Sequence, residues 1–274
     1  MNFITIQVEC PEVLRDYLIS VLFEIGFDSF QELEDGFEGS CLETDFDQQK
    51  VSEVLSSFEN IRYQIKDQEK VNWNKEWEKN YDPIVIEDRC IIRASFHQPG
   101  PEFEYELIVT PKMSFGTGHH ATTYQVLAYQ MHLDHMGKKV LDVGTGTGVL
   151  AIMAEKRGAK ELVATDIDDW CIENSEENFQ LNGVSNYQLH QTEIGGIKET
   201  DFDIVIANIN KNVLLEQISS YAQKLKPGGE LLLSGFYESD IQDLIAEAGK
   251  YNLGKKHKSV KDNWAMLVLS KQSV

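Results

Sequence analysis

Leu141-Asp142-Val143-Gly144-Thr145-Gly146-Thr147-Gly148 is an apolar run that breaks into alternating glycines, and a helical pattern follows from Val149 to Lys156. A strand that turns through glycine into a helix is the opening unit of an open α/β sheet. Glycine is required where the backbone turns tightly and where another group approaches the main chain. The spacing here is G-x-G-x-G, because Val149 stands where a dinucleotide fingerprint carries its third glycine. The loop therefore points to a nucleotide-like ligand without the pyrophosphate that a dinucleotide sets on a helix N-terminus.

Working outward, strand-like runs at 139–143, 161–165, 187–190, 203–207 and 230–234 alternate with helical segments. That alternation implies a parallel sheet with helices on both faces. The end differs: runs at 251–260 and 264–269 flank the turn residues Lys261-Asp262-Asn263, which reads as an antiparallel hairpin. Upstream, residues 1–66 read as strand, helix, strand, strand, helix, strand. The strands lie at 3–8, 27–33, 37–42 and 61–65, and the helices run from Pro11 to about Ile25 and over 48–58. This βαββαβ order is the ferredoxin-like pattern of a small α+β domain. In 67–82, Val71, Trp73, Trp77 and Tyr81 recur about every four residues, which places them on one helical face before Pro83 ends the helix. Shorter strand-like runs follow at 84–86, 90–94 and 105–110. The expected organisation is a small domain over 1–66, a helical connector over 67–83 and a doubly wound α/β domain over 84–274.

Charge separates these parts. The chain of 274 residues carries a net charge of -20, and residues 1–65 hold fourteen acids against Arg15, Lys50 and Arg62. Such a segment repels phosphate backbones and attracts basic partners, so direct sequence-specific nucleic-acid binding is not expected. The alternative is that an acidic surface merely keeps the chain dispersed. No apolar run reaches the roughly 20 residues that span a bilayer, and the N-terminus lacks a basic segment followed by an apolar one. Cys10, Cys41, Cys90 and Cys171 form no CxxC pair, as expected of reduced thiols in a cytoplasm. His119 and His120 have no third ligand at suitable spacing, so no metal is expected.

The chemistry concentrates at strand ends. Asp142, at the end of the glycine-loop strand, suits a cationic amino-acid tail, and Gly144 and Gly146 let a ligand approach the backbone. The next strand ends in Asp166, twenty-two residues after Gly144, where an acid is placed to accept hydrogen bonds from both ribose hydroxyls. Asp168 and Asp169 then suit a helix cap. Asp203-Ile204-Val205-Ile206-Ala207-Asn208 puts an amide at the carboxyl edge of the sheet, where open α/β sheets bind ligands. A ribose, a cationic tail and no pyrophosphate describe S-adenosylmethionine, and a terminal antiparallel hairpin is a feature of class I methyltransferases. The expected fold is thus a class I methyltransferase sheet preceded by the ferredoxin-like domain.

Phe115-Gly116-Thr117-Gly118-His119-His120-Ala121-Thr122-Thr123 resembles the F-G-T-G-x-H-x-T-T loop of the ribosomal protein L11 methyltransferase family, PrmA. The cofactor loop, Asp166-Ile167-Asp168 and Asn208-Ile209 match that family in order and spacing. Trp73-Asn74-Lys75-Glu76-Trp77 is similar to its connector, and Trp264 resembles a Trp of its final hairpin. Two positions depart: the family commonly has Leu where Asn210 stands, and Cys is frequent where Thr145 stands. The resemblance implies that Thr123, Gly144, Asp166 and Asn208 contact the cofactor. It implies methylation of amines of ribosomal protein L11, at lysine side chains and the N-terminal amine, by a cytoplasmic monomer whose first domain recognises the substrate. Read from the residues alone, Gly116 and Gly118 allow a mobile loop and Thr122-Thr123 can cap the next helix. No general base is visible, and Asn208 is expected to orient groups by hydrogen bonding. Two other classes stay open. A nucleic-acid base or glutamine methyltransferase typically carries Asn/Asp-Pro-Pro-aromatic, which Asn208-Ile209-Asn210-Lys211 lacks. A silent binding module is disfavoured by the loop glycines and Asp166.

Overall fold

The computed structural model describes residues 3–58, 61–68, 81–112 and 114–273. The chain forms two compact units, residues 1–81 and 82–274. The first contains β1 (Phe3–Glu9), α1 (Glu12–Glu24), β2 (Ser29–Leu33), β3 (Gly36–Leu42), α2 (Gln48–Leu55) and β4 (Arg62–Gln68). Its antiparallel sheet has the order β2-β3-β1-β4, that of a ferredoxin-like domain. Period-two alternation turns Ile4, Ile6 and Val8 of β1 inward, where they meet Leu18 and Leu22 of α1 and Val51 and Leu55 of α2. Each such side chain contributes roughly 1.5–3 kcal/mol by leaving water.

Local signals fix the ends. Leu33 pairs with Gly36, so Glu34-Asp35 alone makes the hairpin turn, and a Cβ on Gly36 would lie 1.9 Å from the Val8 carbonyl oxygen. Gly36 is therefore a strand residue and not part of the turn. Asp47 caps α2 by accepting from the N–H groups of Gln49 and Lys50 at 3.0 and 3.2 Å. Pro11 precedes α1 as its N-cap residue and does not occupy its first turn. β4 continues to Gln68, into the stretch read as helical. Residues 69–80 of that expected helix, with Val71, Trp73 and Trp77, lie outside the described residues, and Tyr81 and Asp82 are not helical.

In the second unit β5 (Ile84–Ile86), β6 (Cys90–Arg93) and β7 (Tyr105–Ile108) make a small sheet. Then come α3 (Ala121–Gln130), β8 (Lys139–Val143), α4 (Val149–Lys156), β9 (Glu161–Asp166), α5 (Asp169–Leu181) and β10 (Tyr187–Gln191). They are followed by β11 (Phe202–Asn208), α6 (Lys211–Lys224), β12 (Leu225–Tyr237), α7 (Ile241–Gly249), β13 (Leu253–Lys261) and β14 (Trp264–Lys271). The seven strands order as β10-β9-β8-β11-β12-β14-β13, with β14 and β13 antiparallel. The strands are buried on both faces, and side chains alternate between them. Val140, Ile204 and Leu232 pack with Val126 of α3 and Ile152 of α4. Leu141, Val205 and Leu231 pack with Leu214 and Ile218 of α6 and Leu244 of α7. Asp262 and Asn263, with φ of 52° and 65°, make the tight turn that joins β13 to β14. β10 and β13 are the two edge strands, and β13 exposes Lys255, Lys256 and Lys258. β12 starts at Leu225, earlier than its 230–234 core, because Leu225 pairs with Phe202 across an irregularity. Among the described residues no helix is long and apolar enough to cross a membrane.

Strand order runs outward from β8 in both directions, through β9 to β10 on one side and through β11 to β12 on the other. The carboxyl ends of β8 and β11 therefore flank a crevice, the place where open sheets bind ligands.

Candidate active site

Gly144 and Gly146 take φ values of 68° and 58°, which side-chain-bearing residues rarely adopt. Each also faces protein at short range. A Cβ on Gly144 would lie 2.4 Å from Ile209 Cγ2, and one on Gly146 would lie 2.2 Å from the Phe115 carbonyl oxygen. The glycines thus let three chain segments close around one space, besides leaving the backbone open to a ligand. The N–H groups of Gly144 and Thr145 donate to the Thr165 carbonyl at 2.8 and 3.0 Å, tying the loop to β9.

Asp142 is fully buried behind this loop. Thr145 Oγ1 donates to its Oδ2 at 2.7 Å, while Oδ1 is buried without a partner. Burial pushes the carboxyl up to about 7, opposed by the Thr145 hydroxyl and reinforced by the nearby Asp166 charge. Asp166 ends β9 at 9% exposure, on the cavity wall. Its Oδ2 accepts from the Gly146 N–H at 2.9 Å and its Oδ1 from the Asp168 N–H at 3.2 Å. A carboxylate has about four acceptor positions, so both oxygens can still take hydroxyl donors.

Asn208 ends β11 at 8% exposure. Its Nδ2 donates to Thr123 Oγ1 at 3.2 Å, and its Oδ1 is buried and unpartnered. Asn210 is held by its own helix, accepting from the Val213 N–H at 3.2 Å as the N-cap of α6. The departure from Leu at this position therefore has a local structural reason. In the preceding loop, Phe115 and Gly116 are fastened to the cofactor loop: the Thr147 N–H donates to the Phe115 carbonyl at 2.9 Å, and Thr147 Oγ1 to the Gly116 carbonyl at 2.7 Å. His120, not the Thr122-Thr123 pair, caps α3, with Nδ1 accepting from the Thr122 N–H at 3.4 Å and meeting Thr122 Oγ1 at 2.8 Å. Its ring packs edge-on to Trp264 at 4.7 Å and to Phe115 at 5.3 Å, and Tyr237 stacks on Trp264 at 4.3 Å.

These parts enclose a cavity of about 660 Å³ in the crevice. Gly144, Gly146, Asp166 and Asn208 line it; Asp142 and Thr123 stand behind the wall, and Thr122 lines it in place of Thr123. Asp168, Glu193 and Glu216 add carboxylates, so the space favours a cation, while Phe115, His120 and Trp264 form an aromatic side. Asp166, Asp168 and Cys171 bring donor atoms within 4.8 Å of one another on the same wall. Sequence reading did not single out Thr192 and Glu193 after β10, or Trp170 after β9, and it met Ile167 only inside Asp166-Ile167-Asp168. The strand-end rule that found Asp166 reaches Thr192-Glu193 as well. The exposed Trp170 and Ile167 carry no such signal.

The volume suits a nucleoside joined to an amino acid. The buried, unpartnered Oδ1 of Asn208 suits a ligand with an N–H donor, and the carboxylates on the wall suit a cationic one. Residues 33–272 match the sequence profile of the family described as Ribosomal protein L11 methyltransferase (PrmA). Proteins named Ribosomal protein L11 methyltransferase from Phocaeicola vulgatus and Bacteroides fragilis are each 42% identical over 262 residues, covering 93% of this chain and 93% and 94% of theirs. The ribosomal protein L11 methylase of Lactobacillus delbrueckii subsp. bulgaricus superposes with a TM-score of 0.65 at 28% identity, over 70% of this chain and 99% of that one. A methyltransferase of Pyrococcus furiosus shares the fold, with a TM-score of 0.53 at 22% identity over 61% and 90%.

Proposed function

Because this chain belongs to the ribosomal protein L11 methyltransferase family, we propose that it transfers methyl groups from S-adenosylmethionine to amines of ribosomal protein L11, at lysine side chains and the N-terminal amine. The observation that carries this reading is the convergence of Gly144, Asp166 and Asn208 with the Phe115–Trp264 aromatic side on one acid-lined cavity.

When bound, S-adenosylmethionine would supply a methyl group activated by its sulfonium, the amine lone pair forming the N–C bond as the C–S bond breaks and S-adenosylhomocysteine leaves. The chain holds, orients and desolvates. Asp166 accepts the ribose hydroxyls, the backbone at Gly144 and Gly146 flanks the amino-acid tail, and the Asp142 charge acts from behind the loop. An acceptor lysine, with a reference pKa of about 10.4, must reach the site without its proton. Asn208 Oδ1 accepts an N–H from the neutral amine, leaving the lone pair for the methyl group. Alignment of this kind is worth several kcal/mol.

The first unit supplies the docking surface. On α1, Val13, Tyr17 and Phe23 are exposed beside Glu12, Asp16 and Glu24, an apolar and acidic face suited to a basic protein. The enzyme acts as a monomer in the cytoplasm, where its four buried thiols stay reduced, and does not read nucleic-acid sequence. Incubating it with labelled S-adenosylmethionine and ribosomal proteins from a strain lacking it should label L11 amines, mapped by mass spectrometry. Label on another protein or on RNA would overturn the assignment.

A further inference from the structure

Helix α5 carries asparagine at 174 and 178 and ends on a third, the C-cap Asn182, each four residues apart and so on one face. Asn174 and Asn178 are fully buried, where polar side chains are unusual. The reason is that they act as a strand. β7 has β6 along one edge, and the other edge, continued to Thr110, is paired by carboxamides, which offer the same donor and acceptor as a peptide. The Ile108 N–H donates to Asn182 Oδ1 at 2.9 Å, and Asn182 Nδ2 returns a bond to the Ile108 carbonyl at 2.6 Å. The Thr110 N–H donates to Asn178 Oδ1 at 2.8 Å, and Asn174 Nδ2 donates to the Thr110 carbonyl at 3.4 Å.

Asn178 does one thing more. Its Nδ2 donates to the Thr147 carbonyl at 2.8 Å and to Asn174 Oδ1 at 2.6 Å. One turn earlier, Ser175 Oγ donates to the Gly146 carbonyl at 2.8 Å. Thr147, fully buried, in turn holds the acceptor-side loop through its N–H to Phe115 and its hydroxyl to Gly116. A single amide thus joins the segment leading into the Phe115 loop, the cofactor loop and, through Thr147, the Phe115 loop itself. The bonds from Asn178 to Thr147 and Asn174 and from Ser175 to Gly146 are buried, where unmade bonds are strongly unfavourable.

We propose that Asn178 is a positioning residue that makes the cofactor loop and the Phe115 acceptor loop one body, so that filling the cofactor side orders the acceptor side. This deepens the methyltransferase reading and rests on it. Asn182 is the matched control: it ends the same helix and pairs with the same strand edge, without contact to the cofactor loop.

The test uses the full chain with Asn178→Ala, Asn178→Asp and Asn182→Ala. Asp at 178 keeps the acceptor for Thr110 and loses the donor to Thr147. Melting, calorimetry with S-adenosylhomocysteine, steady-state methylation of L11 and hydrogen exchange of 114–118 with and without S-adenosylhomocysteine are compared. All variants should melt lower than the parent. Per folded molecule, Asn182→Ala should keep kcat within about twofold and keep ligand-induced protection of 114–118, whereas both Asn178 variants lose that protection and about tenfold or more in kcat, the usual scale of coupling between sites. Asn178 variants that match Asn182→Ala on both readouts would overturn the proposal and leave a structural ladder. Should Asn178→Ala not fold, Asn178→Asp, which removes the donor to the Thr147 carbonyl and keeps the acceptor for Thr110, decides on the same readouts. Failure of the parent to bind S-adenosylhomocysteine would instead refute the cofactor site.

Discussion

Replacing Asp142 by Asn should make the ligand-free enzyme less sensitive to pH while weakening its hold on the cofactor. The carboxyl is fully buried, and its pKa is raised from the ordinary 3.8 to about 7. The sign follows from which state holds the proton. Below about pH 4 both folded and unfolded chains keep the group protonated, and it costs nothing extra. Between about pH 4 and 7 the unfolded chain releases the proton and the folded chain retains it, so stability falls as pH rises. Above about 7 the folded group ionises too, and the loss is complete. From 3.8 to about 7, at 1.36 kcal/mol for each tenfold change in proton affinity, the loss amounts to about 4 kcal/mol. An Asn side chain does not ionise, so the comparison of pH slopes isolates this cost and cancels any fixed difference in packing. Urea unfolding of parent and Asp142→Asn at pH 5 and pH 8 measures it. The parent should lose several kcal/mol more than the variant over that interval. Calorimetry at pH 8 should show weaker S-adenosylmethionine binding by the variant, which has lost the negative charge behind the loop. Equal pH slopes in the two proteins would refute the argument, because the carboxylate would then be tolerated without cost.

Gly146→Ala should reduce S-adenosylmethionine affinity by about tenfold or more, roughly 1.4 kcal/mol, because the new Cβ meets the Phe115 carbonyl oxygen at 2.2 Å; unchanged calorimetric affinity would contradict this. Asn208→Ala should lower kcat on the order of 100-fold by misplacing the acceptor, while losing only the 3.2 Å bond to Thr123 should leave melting nearly as in the parent; unchanged methylation sinks the role given to its Oδ1. Asp47→Ala removes the Oδ1 that accepts from two N–H groups at the start of α2 and should cost about 1 kcal/mol in denaturant unfolding, with no effect on cofactor binding.

The parallel sheet was legible because its strands are short apolar runs closed by polar residues, as in 139–143 and 203–208, and the turn residues Asp262 and Asn263 announced the terminal hairpin. The cofactor side was legible for the same reason: ligands of such sheets bind where strands end, and Asp166 and Asn208 stand there. Depth behind the wall was not. Neighbouring threonines give no sign of which one faces the cavity, and the helix geometry that puts Thr122 on the wall and Thr123 behind Asn208 is set by packing. The capping role of His120 was hidden because Thr122 and Thr123 are the commoner caps. The asparagines of α5 carry no signal of their own in the sequence, and the edge of β7 that they pair explains their burial. Gly228 and Gly229 signal a loop, yet Leu225 still reaches Phe202, a pairing that depends on contacts far apart in sequence.

The β13 edge of the large sheet has a consequence for how the chain behaves in a crowd. A free strand edge invites a neighbour's strand, and two copies meeting edge to edge along β13 would set the exposed Lys255, Lys256 and Lys258 of one against those of the other. The register also slips between Lys255 and His257, so the edge is not a flat template. Lys256 pairs with Glu230 at 2.6 Å and Lys258 reaches Glu238 at 3.9 Å, so the edge is lined with charged side chains that a strand-to-strand pairing would have to desolvate, which works against fibre growth.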